Sequence, residues 1–132
     1  MNKVSYTILR VGLGITFLWV GVLIFQSPEA WSNFISPWAA ELIPFSLKNT
    51  MICVGIFDVL IGALLVYDFA VWIGALFAAI HMIDVLVVSG ITSITVRNIA
   101  ILAGALALFI DSMPPKVANR IKSLLKISHP SS

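Results

Sequence analysis

Four long apolar blocks alternate with short polar breaks along the chain. They cover residues 6–25, 49–67, 70–89 and 94–110. Each is close to the roughly 20 residues a helix needs to cross the hydrocarbon core of a bilayer. In the first block Arg10, Gly14, Phe17 and Gly21 recur at spacings of four, three and four, which sets them on one helical face. Gly55, Asp58 and Gly62 share a face of the second block in the same way. Glycines on a common face let a neighbouring backbone come close. The breaks at Tyr67-Asp68-Phe69 and at Gly90 to Ser93 are very short, which predicts tight antiparallel hairpins. In the last block Arg97, Gly104 and Asp111 are seven apart, Asn98 and Ala105 line the adjacent stripe, and Pro114-Pro115 stop the helix. The pattern predicts an all-α fold: a four-helix transmembrane bundle of up-down topology within residues 1–113.

The one long connection carries Pro28, Pro37 and Pro44 together with Trp31 and Trp38. Ser27-Pro28 is a good helix opening. Trp31, Phe34, Ile35 and Trp38 then fall at i, i+3, i+4 and i+7. Residues 27–45 are expected to form a lid over the outer end, either a short interfacial helix or an irregular loop. Residues 114–132 form a basic tail with Lys116, Arg120, Lys122 and Lys126, and with an apolar side of Val117, Ile121, Leu124 and Leu125. It reads as an amphipathic helix on an anionic leaflet or as a frayed end.

Composition strengthens the membrane reading. Of 132 residues 60% are hydrophobic and 11% charged, and mean hydropathy is +1.05. Soluble domains carry about 25% charged residues. A formal net charge of +2 gives nucleic-acid binding little support. The single cysteine, Cys53, makes neither an intrachain disulfide nor a CxxC relay. Lys3 and Arg10 before an apolar run resemble a signal peptide, but no small-x-small cleavage site follows, so the run reads as a retained first span. Basic residues stand at the start and after the fourth block. The expected setting is a prokaryotic inner membrane with both termini cytoplasmic.

Charge inside the spans carries the candidate chemistry. An aspartate at the centre of a membrane helix costs roughly 2.5–3.5 kcal/mol on insertion scales, so buried acids need partners. The helical rise of about 1.5 Å per residue puts Asp58 and His81 at similar depths, roughly 12–14 Å from the outer end. It puts Asp84 level with Arg97, with Asn98 beside them. Asp58, His81, Asp84, Arg97 and Asn98 are therefore expected to converge under the lid. Such a set either fixes helix register or handles protons and a small ligand. A metal is the weaker alternative, because no HxxxH pattern accompanies the one histidine and two acids. A quinone headgroup is the carrier that His81, Arg97 and Asn98 would suit as donors. No haem attachment motif, phosphate loop or hydrolytic constellation is visible. Arg10 either snorkels to the inner headgroups or pairs with Asp68 or Asp111.

The first block, from Arg10-Val-Gly-Leu-Gly to Trp19-Val-Gly21, together with Gly55-Ile-Phe-Asp58-Val-Leu-Ile-Gly62 and Arg97-Asn98, resembles the DoxX-like family of small four-helix membrane proteins. The chain departs from that pattern at Asp58, where glutamate is usual, and at Phe25-Gln26, where a lysine often closes the first span. The resemblance implies a four-span bundle with Arg10, Asp58 and Arg97 as matching polar positions. Some members are membrane subunits of oxidoreductase systems, including thiosulfate–quinone chemistry. The expected role is accordingly a subunit of a membrane oxidoreductase complex, with the polar set serving a quinone-like carrier or proton transfer. The alternative is a non-catalytic accessory or assembly subunit. The expected partners are the bilayer, other membrane subunits or further copies of the chain.

Overall fold

Close backbone approach at glycine decides how the first two long helices meet. In the computed structural model, which describes residues 1–127, α1 runs Lys3–Gln26 and α4 runs Leu47–Val66. A Cβ placed on Gly62 would come within 2.7 Å of the Gly14 carbonyl oxygen and the Leu18 amide nitrogen. One on Gly21 would lie 2.8 Å from the Gly55 oxygen. Gly14 thus faces Gly62, and Gly21 faces Gly55, so α1 and α4 are antiparallel with their backbones in contact. Arg10, Gly14, Phe17 and Gly21 are all buried, as their shared face required.

Between these helices lie α2 (Pro28–Ser32) and α3 (Pro37–Leu42). The connection is therefore helical, but not one amphipathic helix. Asn33 to Ser36 interrupt it, Pro37 restarts it, and Trp38 does not continue the stripe begun at Trp31. Proline lacks the N–H that would carry α2 onward and disfavours helical geometry in the residue before it. The Ser36 N–H donates to the Val88 carbonyl at 3.1 Å, and Lys48 pairs with Glu29 at 2.9 Å. These two contacts tie the connection to the ends of its neighbouring helices.

Helix α5 spans Val71–Ser89 and follows a turn in which Asp68 and Ala70 have φ of 58° and 47°. Contact of Gly74 with Leu64 and Leu65 makes α4 and α5 an antiparallel hairpin. Helix α6, Arg97–Ser112, begins three residues later than the apolar pattern suggests. The cause is local. Thr95 donates through its hydroxyl to the Gly90 carbonyl, while Thr92 and Ile94 to Thr95 exchange further threonine bonds, giving the backbone a turn in place of a helix. Pro114 then ends α6, and α7 (Pro115–Ile127) departs at 107°. The tail reading also included residues 128–132, which lie outside the described residues.

The core is made of Leu13 and Phe17, Ile61 and Leu65, the alanines Ala75, Ala78 and Ala79, and Ala105 with Leu108. Small side chains on α5 let α6 lie close, so α1 with α4 and α5 with α6 form the two most extensively packed pairs. Large apolar side chains such as Ile8, Ile15, Trp19 and Leu60 point outward. In lipid that arrangement carries no hydrophobic penalty, and packing rests on dispersion and polar contacts instead. Among the described residues three helices, α1, α4 and α5, are long and apolar enough to cross a membrane, and α6 with α7 forms a bent pair that brings the count to four if taken as one span.

Candidate functional site

The best enclosed ionisable groups sit where the two helix pairs meet. His81 Nε2 of α5 lies 3.1 Å from Asp58 Oδ1 of α4, and the side chains are 8% and 3% exposed. Asp58 stands eight residues from the end of α4, and His81 eight from the end of α5, or about 12 Å at the helical rise. The pair therefore lies near mid-height. Asp58 Oδ1 is buried without an aligned hydrogen bond, so the contact is an ion pair only when the imidazole carries a second proton. Two rings close on the imidazole. Phe57 meets it edge-on with centroids 5.5 Å apart, and Phe17 of α1 lies at 6.5 Å. Phe77 packs in turn on Phe57 at 5.8 Å. An imidazole is a group that can exchange a proton, and here a carboxylate lies directly beside it.

The other expected members stand apart. The Asp84 side chain is exposed and makes no hydrogen bond or ion pair among the described residues. Three residues beyond His81 turn a side chain by about 60° around the helix. The buried stripe of α5 runs through Val71, Gly74, Ala75, Ala78, Ala79 and Met82, with His81 at its edge, so Asp84 falls past it. Arg97 is exposed too, and its Nε donates to Ile94 O at 3.1 Å. The threonine turn leaves it at the very first position of α6, where its own chain supplies the acceptor. Asn98 is half-buried and its side chain makes no hydrogen bond. Five converging residues are replaced by a two-residue pair with an aromatic surround. No three His, Cys, Asp or Glu side chains gather among the described residues.

Arg10 has a definite place. Its guanidinium donates to the Leu65 carbonyl and, at 3.0 Å, to that of Val66, and its Nε lies 3.4 Å from Asp68 Oδ1. The last carbonyls of a helix lack intrahelical partners, and here a cation from α1 satisfies two of them. Of the two acids considered for Arg10, the structure selects Asp68. Asp111 instead accepts from the Met1 amino group at 2.7 Å. Sequence reasoning missed Phe57 as a partner of His81, although it directly precedes Asp58. It also missed the carbonyl contacts of Arg10. Phe17 was visible as a member of the α1 glycine face, but not as a neighbour of the imidazole.

The family model for DoxX matches residues 5–91, well over half of the chain. The chain belongs to the DoxX family. The matched stretch contains Arg10, Asp58, His81 and Asp84, whereas Arg97 and Asn98 lie beyond it. The chain is accordingly an integral membrane protein with apolar helices, set in a lipid bilayer. Comparison with curated proteins and with solved structures gives no match.

Proposed function

We propose that this DoxX-family protein is a membrane-integral subunit that works beside a membrane oxidoreductase, and that Asp58 and His81 take up and pass on a proton there. The observation that carries the reading is the acid–imidazole contact of 3.1 Å, shut away from water at mid-height between the two helix pairs. Ionisable groups at such depth are costly, and function is their default reading. The same proposal takes α6 as a fourth crossing, giving an up-down bundle. Its 16 residues extend about 24 Å, and Met1 meeting Asp111 supports having both ends on one side. Lys3, Lys116, Arg120 and Lys122 at that end favour the cytoplasmic face of a prokaryotic inner membrane.

A quinone-type carrier fits this site poorly. Phe17 and Phe57 occupy the space beside the imidazole, and Arg97 and Asn98 stand away from it. An open groove of about 330 Å³, lined by Ile8, Gly12, Thr16, Ala100 and Gly104 among others, does not reach the pair. That enclosure favours the second reading, an accessory subunit in which the pair only locks the helices.

Purification in mild detergent separates the two. The first reading expects oxidoreductase partners to co-purify, and His81→Leu or Asp58→Asn to leave assembly intact while lowering proton-coupled turnover at least tenfold. Full turnover in an assembled His81→Leu complex would hand the role to the accessory reading.

A further inference from the structure

Helix α7 is built unlike the spans. It leaves α6 at 107°, so it runs across the bundle axis, and it packs extensively on no other helix among the described residues. At about 100° per residue, Val117, Ile121 and Leu124 fall in one sector. Lys116 and Arg120 flank one side of that sector and Lys122 the other, with no acidic residue in the helix. Ile121 is 37% exposed and Leu124 63%. The Met1–Asp111 contact brings the start of α1, with Lys3, to the same end. Apolar side chains thus lie along the membrane plane with cations on both flanks, which is the arrangement of a helix immersed at the headgroup boundary.

We propose that α7 is an in-plane foot that binds anionic phospholipid headgroups. Ile121 and Leu124 enter the acyl boundary, and Lys116, Arg120 and Lys122 lie against phosphates. This goes beyond the proton-handling reading and stands without Asp58 or His81. Pro114 and Pro115 fix the bend, so the foot also sets how deeply α6 is drawn into the leaflet.

The test uses the full chain carrying Cys53→Ser and Leu124→Cys, spin-labelled at 124, in nanodiscs of phosphatidylcholine with or without phosphatidylglycerol. The label is expected to be oxygen-accessible and shielded from a water-soluble nickel chelate when phosphatidylglycerol is present. Lys116→Gln, Arg120→Gln and Lys122→Gln should each lower the docked-to-free ratio about five-fold, the equivalent of ~1 kcal/mol per basic residue. Circular dichroism checks that each variant remains helical. Equal immersion in both lipid compositions, or immersion in neither, would overturn the proposal. So would shielding in detergent accompanied by spin–spin broadening, which would assign the face to a second copy of the chain.

Discussion

Replacing His81 by leucine removes the partner of a carboxylate 3.1 Å away. At that separation opposite unit charges attract by about 5 kcal/mol at an effective dielectric of 20. Desolvation of both groups cancels part of this. Breaking a buried ion pair from one side nonetheless costs roughly 3–5 kcal/mol, because the remaining charge is stranded, whereas replacing both members is often neutral. A neutral hydrogen bond between membrane helices is worth far less, roughly 0.6 kcal/mol on average and about 1.7 at most. These ranges do not overlap, so a double-mutant cycle decides between them. Asp58→Leu and His81→Leu are each expected to cost roughly 3–5 kcal/mol, and the double variant to return close to the parent. The coupling energy, the two single costs less that of the double, should then come to roughly 6–10 kcal/mol. The assay is reversible unfolding in bicelles titrated with denaturing detergent, with steric trapping as a second measure. A coupling below ~1 kcal/mol, or a double variant as unstable as the summed singles, would refute the ionic account and remove the basis for proton handling.

The same unfolding assay separates two glycines of α1 and α4. Gly62→Ala must push a methyl toward the Gly14 oxygen 2.7 Å away and should cost roughly 1–3 kcal/mol. Gly12→Ala meets nothing within 4 Å and should gain up to about 1 kcal/mol through helix propensity. Arg10→Leu leaves the Leu65 and Val66 carbonyls unmet and should cost roughly 1.5–3 kcal/mol, with Arg10→Lys restoring only part. On the lid, a hydrogen bond from Lys48 holds the Glu29 carboxyl below its ordinary value of 4.5. The lid tie is therefore fully present above that value and is lost as pH falls through the lowered one. Carbon NMR titration of Glu29 should show the depressed midpoint, and Lys48→Gln should return it to the ordinary range.

Much of the helical plan was legible because membrane helices announce themselves by length and apolarity, and glycine spacing reveals which faces touch. Arg10, Gly14, Phe17 and Gly21 formed a face in the sequence and form one in the structure. Matching depths also brought Asp58 opposite His81, since a two-helix hairpin leaves little freedom of register. Asp84 defeated the same logic because depth says nothing about azimuth. A rotation of about 60° separates a buried edge from an exposed one. Arg97 was misplaced by the threonines, whose hydroxyls compete locally with helix formation and delay α6. Interruption of the lid at Asn33 to Ser36 likewise depended on Pro37 prevailing over an apolar periodicity that would have run through it.

The link from Arg10 to Leu65 spans 55 positions of sequence. Synthesis at roughly 5–20 residues per second separates the emergence of those two residues by several seconds. Throughout that interval the Arg10 guanidinium and the glycine face of α1 lack the α4 groups they meet in the finished fold. A pause in synthesis before residue 66 would lengthen that window without altering the finished fold.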